Sequence, residues 1–179
     1  LNTYCPIWDT YDDEYRDNYE SLLETFNPQR WWYGCLAPQN PYGTYHIADT
    51  SLLSARTISW MQKKYNIEGN IYWDAVGYNQ EGNFDNFGEM KLTPIDVYEY
   101  QYRFANESSI PAGDGNLLYP GAAYGHFGPL PSMRIMSIRD GLEEYEMLYD
   151  LENKLQNMVL NGRFDADSAQ ELMESLYSP

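Results

Sequence analysis

The sequence predicts a parallel α/β fold, on three observations. Short apolar segments end in aromatic residues or aspartate, at Leu1–Asp9, Arg30–Leu36, Gly69–Asp74 and Asn116–Gly121. All but the last run into a stretch of helical length, interrupted after Trp73 by a long polar insertion. The chain has 179 residues, enough for a single domain with a real core. Alternation of strand and helix is the pattern of a parallel sheet covered by helices.

Each element has its own signal. Asn2 to Trp8 reads as a strand. A helix follows from about Glu14 to Phe26, capped within Thr10–Asp13. Its apolar positions Tyr15, Tyr19, Leu22, Leu23 and Phe26 recur at spacings of three and four. Asn27-Pro28 stops it. Trp31 to Leu36 is the next strand, and Ala37 to Gly43 is a loop on its Pro, Asn and Gly content. A long helix runs from about Asp49 to Tyr65, and Ile71 to Trp73 is a strand. Val76 to Gly88 reads as a long loop. Asp96 to Phe104 is ambiguous, with Tyr98, Tyr100 and Tyr102 alternating as in an extended edge. Pro111 to Gly115 is a turn and Asn116 to Tyr119 a strand. Ser132 caps a helix whose stripe is Ile135, Ile138, Leu142, Tyr145, Tyr149 and Leu151. A last helix spans about Asp167 to Leu176.

This order gives roughly four β/α units, whereas a closed barrel needs eight in about 250 residues. The chain is therefore a small open sheet or the C-terminal portion of a (β/α)8 TIM-type barrel. We expect the second, which accounts for a first residue other than Met and for the isolated final helix. Residues 1–179 are then one domain, a partial barrel.

Composition excludes several functions. The formal charge is −16, with only 11 Lys and Arg. A chain this acidic lacks the basic face that nucleic acid or an anionic membrane requires. It has no apolar run of the length that spans a bilayer. Cys5 and Cys35 read as two buried free thiols, with a disulfide between neighbouring strands as the alternative. No metal site is expected, because no second Cys or His sits at ligand spacing. No cofactor is expected. The 18 Tyr and 5 Trp, with little Lys, fit a secreted, periplasmic or cell-surface protein that handles glycans.

Strand ends bearing Trp, Tyr and Asp predict a pocket rimmed by rings and carboxylates. A pyranose suits such a pocket, since it offers an apolar C–H face and polar edges. Trp73 is the first candidate to stack on a sugar, against the alternative of core packing. Asp74 is placed to bind sugar hydroxyls or, equally, to cap a loop. Tyr33 and Tyr119 would each direct a hydroxyl at the pocket, and Trp8 with Asp9 end their own strand. Only alternate side chains face one side of a strand, so Trp31, Trp32 and Tyr33 cannot all line the pocket. His46 and His126 read as ordinary loop histidines, although His46 follows a loop at the expected active face. Arg134, Arg139 and Asp140 read as structural pairs, and Gly113-Asp114-Gly115 as turn chemistry.

A resemblance adds to this reading. Gly113 to Gly121, then Pro131-Ser132-Met133-Arg134 and Ile138 to Glu146, resemble the closing segment of the glycoside hydrolase family 123 catalytic domain. Trp31-Trp32-Tyr33 through Pro38, Ile47-Ala48-Asp49, Arg56, Trp60 and Gly69 to Trp73 resemble the unit before it. The resemblance implies a (β/α)8 barrel that releases terminal β-linked N-acetylgalactosamine. It also implies a retaining, substrate-assisted mechanism, an exception to the usual carboxylate pair. The family's adjacent Asp-Glu pair lies upstream of the part that aligns here. Asp13-Glu14 has the right letters but sits at a helix start, where the dipole favours acidic residues. No catalytic residue is therefore assigned in this chain, which is expected to be inactive alone. Its expected partners are a glycan and either the missing N-terminal half of the barrel or a second copy. Two other readings stand beside the enzyme: a non-catalytic carbohydrate-binding module, and an interaction domain with a Tyr-rich surface.

Overall fold

The computed structural model of the protein describes residues 2–11, 15–38, 41–47, 51–77 and 111–177. Asp13-Glu14, the stretch Asp96 to Phe104, and the expected loop beyond Gly77 lie outside the described residues.

The fold is mixed α/β. Strands β1 (Thr3–Tyr4), β2 (Gln29–Gly34) and β3 (Gly69–Tyr72) form a parallel sheet in that order. Helix α1 (Arg16–Phe26) joins β1 to β2, and α2 (Leu52–Lys64) joins β2 to β3. The register pairs Trp31 with Gly69, Trp32 with Asn70, Tyr33 with Ile71 and Gly34 with Tyr72. The expected first strand is much shorter than Asn2 to Trp8. Pro6 has no N–H to extend the ladder, and Trp8–Tyr11 turn into a 3-10 helix.

The two faces of β2 differ. Trp32 is 2% exposed and packs with Trp8, Tyr45, Ala55, Ile58 and Ile67 in the core. A ring buried to that degree contributes on the order of 3 kcal/mol. Gly34 lies on the same face beneath Trp8, because a Cβ there would fall 1.8 Å from the indole ring. Trp31 lies over Gly69 on the other face, where Tyr33 and Ile71 stand exposed.

Helix ends follow their sequence signals. Asn27 adopts φ 41° and its N–H donates to Leu23 O, ending α1. The expected α1 stripe is only partly used: Leu23 is buried, while Tyr15, Leu22 and Phe26 are exposed. Ser51 caps α2 by accepting from Leu53 N, and Ser132 caps α3 (Met133–Leu160) by accepting from Ile135 N. Asp165 caps α4 (Ala166–Ser175).

Helix α3 lies against α2. Gly141 permits the approach, since a Cβ there would sit 2.6 Å from Arg56 O. Glu144 accepts from Arg56 Nε at 2.8 Å and from Trp60 Nε1 at 2.8 Å, and Lys63 pairs with Glu152. Helix α3 extends nine residues beyond Leu151, and its buried line is Arg134, Gly141, Leu148 and Leu155, whereas Leu142 and Tyr149 of the expected stripe stand exposed.

The segment expected as a fourth parallel strand takes another form. Leu118–Tyr119 (β4) pairs antiparallel with Leu130–Pro131 (β5). Just before it, Asn116 bridges Val76 in antiparallel sense, and both Leu117 and Leu118 donate to Ala75 O at 3.0 Å. The closing segment thus zips onto the chain leaving β3 instead of adding a β/α unit.

Candidate functional site

The parallel register brings three strand ends together. Tyr33 N–H donates to Pro6 O at 2.9 Å, and Trp73 N–H donates to Gly34 O at 3.3 Å. Tyr33 is 37% exposed on the open face, beside Ile71 at 43%. Trp73 and Asp74 follow directly on β3 and are half-buried. Asp74 Oδ1 accepts from Val76 N–H at 2.9 Å, so this carboxylate shapes the turn after the strand.

Beneath Trp73 lies Asp114, 1% exposed. Its Oδ1 accepts from Tyr72 Oη at 2.5 Å and from Trp73 Nε1 at 2.8 Å. His46 Nε2 lies 3.4 Å from the same oxygen and 3.1 Å from Cys35 O. Burial pushes the Asp114 carboxyl up, but the hydrogen bonds from His46, Tyr72 and Trp73 outweigh it. The net result holds Asp114 below the usual carboxylate range. Tyr72 moves the other way: burial and the neighbouring Asp114 charge push its hydroxyl well up. It stays a neutral donor, and it accepts in turn from Gly115 N–H at 3.0 Å.

The turn that carries Asp114 is itself braced. Gly113 and Gly115 adopt φ of 78° and 69°, which side chains with a Cβ rarely take. A Cβ on Gly115 would also lie 2.7 Å from the Trp73 ring. Arg134, 4% exposed at the start of α3, donates to Tyr45 O at 2.7 Å and to the carbonyls of Gly113 and Asn116. Asn116 Nδ2 closes the turn onto Asp114 O at 3.0 Å. Arg134 is structural, as expected, although its partners are carbonyls rather than an acid.

The other expected site residues lie elsewhere. Trp8 is 7% exposed and donates from Nε1 to Gly43 O at 2.9 Å, with its ring over Gly34. It borders a cavity of about 280 Å³ with Tyr11, Trp32, Tyr42 and Met61, on the α2 side of the sheet. Asp9 is half-buried in the 3-10 helix beside it. Tyr119 is half-buried in β4. Trp73, Asp74 and Tyr33 thus lie at the ends of β2 and β3, with Tyr33 on the open face and Trp8 on the face opposite Tyr33. Cys5 and Cys35 are free thiols, half-buried rather than fully buried. Among the described residues, no group of three or more His, Cys, Asp and Glu could hold a metal ion. No described helix is long and apolar enough to cross a membrane.

Asp114, Tyr72 and His46 were not foreseen as one cluster. Gly113-Asp114-Gly115 reads as a turn, which it is. The available signal was a lone carboxylate between two glycines beside an apolar strand, because a buried carboxylate requires donors.

The sequence model of the glycoside hydrolase 123 catalytic domain matches residues 3–151. The chain belongs to that family. The match takes in all three parallel strands, the Asp114 turn and α3 as far as Leu151. No curated protein matches the chain.

Proposed function

We propose that this glycoside hydrolase 123 domain forms the wall of a sugar site in an enzyme that releases terminal β-linked N-acetylgalactosamine. The observation that carries the reading is the row of strand ends with Tyr33 exposed and Trp73 and Asp74 half-buried beside it. Residues at the C-terminal ends of parallel strands form the active face of β/α folds. Trp73 offers a ring for the apolar face of the sugar, Asp74 an oxygen for its hydroxyls, and Tyr33 and Tyr119 hydroxyl donors.

On this reading the parallel sheet is part of a (β/α)8 barrel that further chain completes, in a secreted or surface-exposed protein. The reaction is retaining and substrate-assisted. The sugar's acetamido oxygen attacks the anomeric carbon as an acid protonates the leaving oxygen, and water then reopens the cyclic intermediate. The acid and its Asp neighbour are assigned upstream of this chain. A second reading is a non-catalytic carbohydrate-binding module: the buried carboxylate at the strand ends, Asp114, is engaged by Tyr72, Trp73 and His46, so the rings there can bind sugar without chemistry.

The test is hydrolysis of a chromogenic N-acetyl-β-galactosaminide by the whole protein and by this chain alone. Turnover by the whole protein only is the expected result. Turnover by the isolated chain would return the acid to this sequence, with Asp13-Glu14 the first pair to mutate. Binding without turnover in both would support the module.

A further inference from the structure

We infer that Asp114 is a positioning residue, which fixes the Trp73 ring in the orientation that receives the sugar. The inference rests on the sugar-site reading above and adds what sets the site's geometry.

An indole at the end of a strand has two soft torsions, and its stacking depends on both. Two contacts to the Asp114 turn help to hold the ring. Its Nε1–H donates to Asp114 Oδ1 at 2.8 Å, and its six-membered edge rests against Gly115, where no Cβ intervenes. Asp114 is itself immobilised by Tyr72 and His46. Its turn is pinned to α3 through Arg134, whose guanidinium reaches the carbonyls on both sides of Asp114. The chain of support runs from α3 through the turn to the ring, and every member is buried except the ring.

A hydrogen bond to an ionised acceptor is about twice as strong as a neutral one. Asp114 therefore holds the indole more firmly than the isosteric amide would. The carboxylate never touches sugar. It acts only through the N–H of Trp73, and that makes the role separable from a merely structural one.

The experiment is a cycle of Trp73→Phe, Asp114→Asn and the double variant in the whole protein. It reads KM and kcat on a chromogenic N-acetyl-β-galactosaminide, and the Trp73 indole N–H resonance in wild type and Asp114→Asn. Phenylalanine keeps a ring and removes the donor. Each single change should raise KM by roughly three- to tenfold with a smaller change in kcat. The double variant should be no worse than the poorer single variant, because both remove one contact. In wild type the indole resonance should lie downfield and exchange slowly, and in Asp114→Asn it should move upfield.

Multiplying effects of the two changes, or an unchanged KM in Trp73→Phe, would overturn the inference while leaving the sugar site in place. If Asp114→Asn does not fold, Trp73→Phe and the wild-type resonance still decide. A rapidly exchanging indole proton at the position of a free tryptophan refutes the hold. A wild-type protein that neither binds nor cleaves the galactosaminide removes the functional reading, and the inference with it.

Discussion

Trp73 and Asp114 show how one residue's role depends on its partner's charge. Removing the ring altogether is a harsher change than removing its N–H. Trp73→Ala should weaken N-acetylgalactosamine binding about tenfold or more, equivalent to about 1.4 kcal/mol, as measured by calorimetric titration of the whole protein. Asp114 also ties stability to pH. Its carboxyl is depressed in the fold, so its stabilisation is complete above the unfolded value near 3.9 and is lost as pH falls through the lower native value. The urea midpoint should therefore drop as pH falls below about 4, and Asp114→Asn should flatten part of that drop. Glu144, pulled down to about 2 mainly by hydrogen bonding to Arg56, titrates in the same window with the same sign. Glu144→Gln separates the two contributions. The position of Trp73, Asp74 and Tyr33 at strand ends was legible at this scale because aromatic and acidic residues ended apolar runs. Asp114 was not, because its donors Tyr72 and His46 are distant in sequence and only the fold brings them together.

Elements were legible where a local signal coincided with a tertiary need. Ser132 caps a helix that also has a buried face, so the cap signal and the packing agree. The first strand is shorter than expected because Pro6 has no N–H to donate and Trp8 is drawn into the core rather than along a strand. The fourth strand forms at Leu118–Tyr119 but pairs antiparallel, and Leu117 and Leu118 donate to the backbone at Ala75, a long-range choice that no short window records. The union of the first turn with β2 predicts a sensitive position. Gly34→Ala places a methyl within the Trp8 ring volume, so the ring must leave its pocket. The expected cost is roughly 1–3 kcal/mol or more, read from urea unfolding, with a changed near-ultraviolet dichroism from the displaced indole. A variant as stable as wild type with unchanged dichroism would contradict this packing.

The whole molecule sets opposing tendencies against each other. Tyr33 and Ile71 stand exposed on the open face of the sheet, and β1 and β3 are its edges among the described residues. Exposed edges and rings favour association, while a formal charge of −16 opposes it. Salt screens charge over about 10 Å at 0.1 M and leaves the apolar attraction intact. The isolated chain should therefore shift from monomer toward dimer or larger species as salt rises, measured by sedimentation velocity. A monomer at every salt concentration would mean that the open face does not drive association. The alternation along β2 also bears on descent. Trp32 and Gly34 answer to the core, whereas Trp31 and Tyr33 face the open side, and the two sets interleave residue by residue. If the proposed sugar site is right, sugar preference can drift through the second set while the first keeps the domain folded. Divergent members of the lineage should thus differ at every other position of one hexapeptide.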